Sequence, residues 1–558
     1  MHRRFVILAA LAAFPALATA QAPLPLKHTP KPTTAAISAA DLMTRLYIFA
    51  DDSMAGRQGG TEGNLKATAY IAAELKKIGL MPAGDSGTYF QYVPLVRRSY
   101  APVDTLHADT AVLIAPADFV PIGTRGTPRP LDGVRAVYGG VWTDSSTWIS
   151  AAQAAGKLVV FGMAPAAAGQ RVTVPFVRGN SRFAGAAGIA VLGLERATPG
   201  ALGLLSRPSI GMASAASGGT GFPQIMLITP RAAQLLIGRA LDSARAGDSG
   251  TVVHGAVVLN EQPLLARNVV AVLPGSDKKV KGEYVAIGAH SDHIGVRDHA
   301  VDHDSLRAAL TAAWVLRNRD VEAPAPDAAA VAGIHVNVDS LRKIRPPRPD
   351  SINNGADDDG SGSVAVLEIA QAMAAMKKHP NRSILFVWHT GEELGLLGSR
   401  WYTDHTTVPR DSIVAQLNID MIGRGDAADL KGGGPLYLQL IGSSRLSTEL
   451  GQIVEAQNKK RKQPFVFDYT FDANGHPENI YCRSDHANYA RYGIPITFFT
   501  TGTHQDYHQL TDEPQYIDYQ HFAHVTQFIF DVAVTVADLD HRVVVDHPLP
   551  DPTAPCRQ

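Results

Sequence analysis

The sequence predicts an α/β protein in which helices flank a mostly parallel central sheet and a smaller, β-rich α/β domain is inserted. The first observation is the rhythm from residue 268 onward, where apolar runs rich in β-branched and aromatic residues alternate with segments of helical spacing. Such alternation is typical of βαβ units and hence of parallel strands. The predicted strands cover 268–273, 284–288, 384–388, 413–419, 435–441 and 494–499, and the predicted helices cover 364–376 and 444–457.

The second observation is a change of character between residues 131 and 250. This segment has short predicted strands and few grouped ionisable residues; the strands are 134–141, 157–161, 189–192 and 224–228, with helices at 183–187 and 230–236. A chain of 558 residues also favours more than one domain. We therefore expect one domain from 39–130 and 251–545, beginning with helices at 39–49 and 63–79, and a second domain at 131–250. Extra strands of the main domain are the alternative.

Composition narrows the class of protein. Apolar residues make up 45% and charged residues 18%, which is typical of a globular chain and excludes disorder throughout. The formal net charge of −1 gives no bulk field that would favour nucleic acid or an anionic membrane. We expect no nucleic-acid partner and no membrane span in the mature chain.

The N-terminus is typical of an exported protein. Basic residues at 2–4 precede an apolar run at 5–17, and a small-x-small pattern ends at Ala20. We predict a signal peptide at 1–20, a periplasmic or secreted location and a flexible leader at 21–38; a short membrane anchor is the alternative. Export permits a disulfide between Cys482 and Cys556, but the sequence leaves their pairing open.

Two adjacent carboxylates, Glu392 and Glu393, follow the predicted strand 384–388 almost at once. Open α/β sheets bind ligands outside the carboxyl ends of their strands. Neighbouring residues in extended or turn backbone point in different directions, so one glutamate can hold a metal while the other faces a water. A solvated glutamate pair at the start of a helix is the alternative.

Other strand ends and helix starts supply matching groups. His290 follows strand 284–288, with Asp292 two residues later; three aspartates, among them Asp358, open the helix at 364; Asp420 follows strand 413–419; and His508 comes after strand 494–499. Three neighbouring aspartates are costly to ionise without a cation or solvent. Each group alone has an ordinary explanation, such as a surface turn, a helix cap or, for Asp420, an ion pair with Arg424.

In this order the groups resemble the M28 family of dizinc exopeptidases. The resemblance rests on His290-Ser-Asp, Gly355-Ala-Asp-Asp-Asp-Gly-Ser-Gly, Glu392-Glu-Leu-Gly, Asn418-Ile-Asp-Met and Tyr507-His. It implies that His290 and Asp420 hold one zinc ion, that Glu393 and His508 hold a second, and that Asp358 bridges the two.

The resemblance also implies roles for three further residues. Asp292 is expected to orient His290, and Glu392 to act as the general base that takes a proton from the water between the metals. Tyr481 matches a tyrosine that stabilises the oxyanion in some relatives. Family members often have a cis peptide after the bridging aspartate. His293, His389, His486 and His504 are interpreted as loop or packing histidines, and Asp485 and Asp512 as possible outer partners.

The segment 131–250 resembles the protease-associated (PA) domain, through Gly156–Phe161 and Arg182–Val191. Residues 296–350, with a helical stretch at 306–316 and a Pro-rich end, are predicted to form an insertion or lid beside the site.

The sequence thus predicts an exported zinc metalloaminopeptidase with two Zn²⁺ per chain and peptide substrates. A carboxypeptidase of the same family is the first alternative, because Arg424, Arg483 or Arg491 offers a clamp for a terminal carboxylate. An inactive receptor-like homologue and a single-metal cyclase acting on N-terminal Gln are the others; the complete ligand set disfavours both.

Overall fold

The computed structural model describes residues 24–101, 105–123, 128–164, 181–214, 221–548, 551 and 554–558. The predicted signal peptide lies outside these ranges. Residues 24–38 of the predicted leader contain no helix or strand, yet the Thr33 hydroxyl donates to Gln371 and Tyr47 donates to the carbonyl of Pro25. These contacts anchor the segment to the main domain, which the prediction of a flexible leader did not anticipate.

The main domain is built on a nine-stranded sheet. Its four central strands are parallel, and antiparallel strands flank them on both sides. In spatial order the strands are Met81–Pro82, Arg267–Leu273, Ser383–His389, Tyr284–His290, Ile413–Ile419, Ile496–Thr500, Tyr437–Ile441 and Val466–Asp468, and Phe90–Tyr92 also pairs with Arg267–Leu273. The prediction of an α/β protein with a largely parallel centre is confirmed.

Helices cover both faces of this sheet. They are Ala39–Phe49, Glu62–Ile78, Gly362–Ala374, Leu397–Asp404, Thr448–Lys459, His486–Ala490 and Tyr519–Ala537. Along the strand Ser383–His389, Ile384 and Phe386 enter the core on one face while Leu385 and Val387 enter the core on the other. Side chains of a strand alternate between faces, so a strand covered on both sides must be apolar throughout, as this one is. No helix in the described part of the chain is long and apolar enough to cross a bilayer.

A second sheet of eight strands forms the inserted domain. In spatial order its strands are Ala111–Ile114, Thr105–Ala108, Ser249–Gly255, Val134–Val141, Leu158–Gly162, Gly188–Leu192, Gln224–Ile228 and Phe119–Ile122, with helices Ala151–Ala154, Pro199–Leu205 and Pro230–Ile237. The predicted boundary at 131 is therefore wrong, because three strands between 105 and 122 belong to this sheet. They are only four residues each, too short for a clear apolar pattern.

A three-stranded sheet joins the two domains; it consists of Leu95–Tyr100, Ser209–Met212 and Leu259–Leu264. The interruption predicted at 296–350 begins and ends with a two-stranded ribbon, Gly295–Asp302 and Pro349–Asn353, that encloses helices His303–Leu316, Ala328–Ala332 and Val338–Ile344. Arg207 of the second domain forms an ion pair with Asp298 of this ribbon at 2.6 Å. The ribbon thus contacts both domains.

Candidate metal centre

The carboxyl ends of adjacent central strands bring the predicted ligands to one edge of the sheet. His290 is the last residue of its strand, Asp420 follows Ile413–Ile419 directly, and Glu393 lies four residues after Ser383–His389. His508, with a φ of 58°, lies in the loop after Ile496–Thr500. Parallel strands end at a common edge, so these side chains converge although their positions span more than two hundred residues.

Asp358 lies at the centre of the cluster. Its Oδ1 is 3.2 Å from Nε2 of His290, and its Oδ2 is 3.1 Å from Nε2 of His508. Asp420 Oδ1 is 3.7 Å from the same nitrogen of His290, and Glu393 Oε2 is 3.0 Å from that of His508. Two overlapping groups of potential metal ligands therefore share one carboxylate.

Hydrogen bonds between backbone N–H groups and buried carboxylates stabilise the turn that carries Asp358. The backbone N–H groups of Asp357 and Asp358 donate to the carboxylate of Asp512 at 3.0–3.1 Å, and the N–H of His290 donates to Asp359 at 3.1 Å. The peptide bond between Asp358 and Asp359 is cis, as expected. Asp512 is fully buried and acts on Asp358 through its backbone.

Electrostatics at this edge favour a bound cation. Burial raises the pKa of Asp359 well above its usual range, and it raises the pKa of Glu392 in the same way, with Glu393 and Asp420 adding to the effect. Burial lowers the pKa of His290, but the neighbouring carboxylates outweigh it and raise that pKa well above its ordinary value. The cluster therefore stabilises positive charge at its centre.

The donor set fits zinc. Imidazole nitrogens and carboxylate oxygens are ordinary Zn²⁺ ligands. Oε1 of Glu393, within the cluster, is buried and has no hydrogen-bond partner. Such a buried oxygen is costly unless a cation or other donor meets it. Asp420 is also free for a metal, because Arg424 pairs with Asp429 and Asp506 instead, and the partner of Asp420 Oδ2 is the Ser484 hydroxyl at 2.7 Å.

Glu392 lies beside the shared carboxylate without belonging to either ligand group. Its Oε2 is 4.0 Å from Nε2 of His290, and its backbone N–H donates to Oδ1 of Asp292 at 3.2 Å. Asp292 contacts His290, but it does so through its backbone carbonyl and not through its carboxylate. Nδ1 of His290 is 3.0 Å from the backbone carbonyl of Asp292 and 3.8 Å from Oδ1 of its carboxylate, so that carboxylate positions the backbone of Glu392 instead.

Tyr481 is not brought to the metal groups. It lies in the short helical turn Ile480–Cys482, its ring packs beneath the guanidinium of Arg445, and it lines a different cleft. Tyr507 lines the cavity over Glu392, and its ring stacks on His508 with centroids 4.0 Å apart. The direction of a side chain in a one-turn helix depends on the path of the surrounding loop, which the sequence pattern does not reveal.

His293 is the residue that the sequence interpretation missed. The structure places Nδ1 of this supposed packing histidine 2.7 Å from Oε1 of Glu393. The available signal was its position in His290-Ser-Asp-His, directly after the first ligand. His389 and His486 are buried elsewhere, against Tyr489 and Phe498 respectively, and His504 contacts Asp357 at 3.1 Å.

A cavity opens onto this centre. It is lined by charged groups of the centre, His290, Asp358, Glu392, Asp420 and His508, and by apolar side chains that include Val321, Met421, Phe471, Ile480 and Phe498. Val321 comes from the insertion, and Arg297 of the same insertion donates to the carbonyl of His508 at 3.1 Å. The insertion therefore forms one wall of the cavity and contacts the loop that carries a ligand.

The fold and the site together define an α/β protein with two overlapping groups of potential metal ligands at the carboxyl edge of its sheet. The sequence model of peptidase family M28 matches residues 268–533 of the chain. The match includes every predicted ligand.

Comparisons with individual proteins are consistent with that family. A probable leucine aminopeptidase from Arthroderma otae is 31% identical over 175 residues, which is 30% of this chain and 43% of the relative. Leupeptin-inactivating enzyme 1 from Streptomyces exfoliatus is 32% identical over 154 residues, 26% of this chain and 30% of the relative. The matches thus span less than half the length of these curated relatives.

Among solved structures, an aminopeptidase from Aneurinibacillus sp. strain AM-1 aligns over 91% of this chain and 96% of its own, with 16% identity and a TM-score of 0.47. The zinc aminopeptidase of Bacillus subtilis aligns over 90% and 95%, with 14% identity and a TM-score of 0.43.

Proposed function

We propose that the chain is an exported metalloaminopeptidase that uses two zinc ions to remove N-terminal residues from peptides. The observation that carries the proposal is the bridging position of Asp358, whose two oxygens face His290 on one side and His508 on the other. When bound, zinc ions in these two groups would polarise the scissile carbonyl and make water a better nucleophile at neutral pH.

Glu392 is the proposed general base. It lines the cavity beside the shared carboxylate, and its raised pKa suits a group that accepts a proton from water and then returns it to the leaving amine. The hydrogen bond from the backbone N–H of Glu392 to Asp292 holds the backbone of Glu392 in place beside the cavity. Tyr507 replaces Tyr481 as the candidate donor to the developing oxyanion, because it lines the same cavity.

The cavity favours an apolar first residue in the substrate. Phe471, Ile480 and Phe498 offer apolar surface next to the charged centre. Burial of an apolar substrate side chain there is favourable by roughly 25 cal/mol per Å². The carboxylates of the centre provide negative charge for a free N-terminal amine.

The carboxypeptidase alternative is weakened by the surroundings of its candidate clamps. Arg424 is buried against two aspartates, and Arg491 pairs with Asp404. Arg483 does line the cavity, but Glu478 neutralises it at 3.0 Å. A clamp for a terminal carboxylate needs a positive charge at the cavity, so Arg483 is the one candidate left among the three, and it already has a carboxylate partner.

Export and the domain assignments remain part of this proposal. The disulfide between Cys482 and Cys556 is consistent with an oxidising compartment. We assign residues 105–255 as a PA domain, and the insertion as a wall of the substrate cavity.

The test is a panel of aminoacyl chromogenic substrates, with and without a chelator. The proposal expects the fastest cleavage for apolar N-terminal residues, loss of cleavage in chelator and recovery when zinc is restored. Peptides blocked at the N-terminus or at the C-terminus distinguish an aminopeptidase from a carboxypeptidase. Rapid cleavage of N-blocked peptides, or activity that the chelator does not change, would contradict the proposal.

A further inference from the structure

His293 lies at the metal centre although it belongs to no predicted ligand set. Its side chain is fully buried, and Nδ1 is 2.7 Å from Oε1 of Glu393 and 3.7 Å from Oδ2 of Asp358. Its ring packs edge-on against that of His508, with centroids 5.6 Å apart. The ring thus faces the same point as the second group of ligands.

The close approach of His293 and Glu393 does not have hydrogen-bond geometry. Both ring nitrogens of His293 and the facing Oε1 of Glu393 are buried without a hydrogen-bond partner. A buried polar atom without a partner has lost its hydrogen bonds to water without a replacement, which destabilises the fold. A metal ion that accepts lone pairs from Nδ1 of His293 and Oε1 of Glu393 removes this cost for those two atoms.

The distances agree with a shared zinc ion. Ligand atoms about 2.0–2.1 Å from a tetrahedral zinc lie about 3.3 Å from one another. Nδ1 of His293 is 2.7 Å from an oxygen of Glu393 and 3.7 Å from an oxygen of Asp358. Nε2 of His508 is 3.0 Å from an oxygen of Glu393 and 3.1 Å from an oxygen of Asp358. One position therefore lies within reach of all four side chains, and these four form one of the compact donor groups of the structure.

The backbone leaves room for this ring. A Cβ atom at Gly355 would lie 2.5 Å from Cγ of His293, so any side chain there would displace the imidazole. Gly355 also has a φ of 54°, in the left-handed region that glycine adopts without strain. The turn that presents Asp358 thus also provides the space for His293.

The structure assigns His293 as a fourth protein ligand of the metal ion held by Glu393, His508 and Asp358. This inference rests on the proposed two-metal function and adds an asymmetry to it. One ion has four protein ligands, as in closed zinc sites, whereas the ion at His290, Asp420 and Asp358 has three and keeps an open position. All three ligands of this ion line the cavity, whereas only Asp358 and His508 of the other ion's four ligands do, so the open position lies on the side of the cavity.

The first experiment measures zinc stoichiometry and affinity of the full chain against a competing chromophoric chelator. The wild type is expected to hold two zinc ions, and His293→Gln to hold one tightly and the second about tenfold more weakly or worse. His389→Gln is the matched control, because His389 is an equally buried histidine that contacts Tyr489 and belongs to no donor group of the described residues. It is expected to retain both ions at wild-type affinity.

The second experiment separates ligation from a purely structural role. His293→Cys supplies a thiolate at the same place, and cobalt bound there would show a thiolate-to-cobalt charge-transfer absorption that the wild type lacks. A folded His293→Cys protein loaded with two cobalt ions but without that absorption, or His293→Gln with two zinc ions at wild-type affinity, would overturn the assignment alone. A wild-type chain that binds no zinc would overturn the proposed function as well.

Discussion

Glu392 and Glu393 are adjacent in the sequence, but we propose different roles for them, general base and metal ligand. Glu392 belongs to neither ligand group, whereas both oxygens of Glu393 face imidazoles, at 2.7 Å from His293 and 3.0 Å from His508. The same substitution, Glu to Gln, should therefore have different effects at adjacent positions. Glu392→Gln should retain both metal ions and lose catalysis, and Glu393→Gln should lose the metal ion on its side.

The expected magnitudes follow from these roles. General base catalysis contributes about 10²–10⁴-fold, which corresponds to about 3–5 kcal/mol of transition-state free energy. Glu392→Gln should lower kcat by that factor with little change in KM, because the base acts in the transition state. Glu393→Gln exchanges a carboxylate for an amide that is a weaker zinc ligand, so its zinc content should fall toward one ion per chain.

The assay combines steady-state cleavage of an apolar aminoacyl chromogenic substrate with zinc content after dialysis. The circular dichroism spectrum of both variants should match that of the wild type, so that misfolding is excluded. If Glu392→Gln lost a metal ion while Glu393→Gln kept both, the assignment of base and ligand would be reversed. If Glu392→Gln kept more than a tenth of wild-type kcat, Glu392 would not be the base.

Three further predictions concern stability. Burial, and after it the charge of Asp350, raises the pKa of Glu513 from 4.5 to about 8, so the folded protein favours the protonated form. The contribution of this group to the free energy of unfolding is therefore fully present below pH 4.5. It is lost as the pH rises toward 8, by up to about 5 kcal/mol. Glu513→Gln should therefore match wild type in thermal unfolding near pH 4 and exceed it at pH 8, and an equal difference at both pH values would contradict this. Cys556→Ser removes a disulfide that joins residues 74 positions apart, and the gain in entropy of the unfolded chain predicts a loss of about 4 kcal/mol in the free energy of unfolding by denaturant. An unchanged denaturation midpoint would refute this prediction. The buried guanidinium of Arg45 lies 2.9 Å from Glu368, and Glu368→Ala removes this partner, so the free energy of unfolding in the same assay should fall by about 3–5 kcal/mol. A loss below about 1 kcal/mol would show that Glu74 alone is enough to compensate the charge of Arg45.

Much of the centre is predictable because it depends on strand ends. Once the apolar runs before His290, Glu393 and Asp420 are identified as parallel strands, their carboxyl ends must share an edge. Asp358 and His508 lie in loops and could not be placed by periodicity. Their assignment came from the resemblance of the surrounding motifs.

The errors concern features that depend on local backbone path. The direction of Asp292 and His293 after the strand is set by a turn that no periodic pattern describes, so a carboxylate expected at one imidazole instead contacts the N–H of Glu392. Tyr481 turns away because its one-turn helix packs against Arg445. The domain boundary was misplaced because strands such as Ala111–Ile114 are too short to show alternation.

The central claim is that two cations share the carboxylate of Asp358. X-ray diffraction recorded on both sides of the zinc absorption edge from crystals grown with zinc tests it most directly. The account predicts two anomalous peaks on opposite sides of that carboxylate, one beside His290 and Asp420 and one beside Glu393 and His508. A single peak, or peaks that lie away from these side chains, would contradict it.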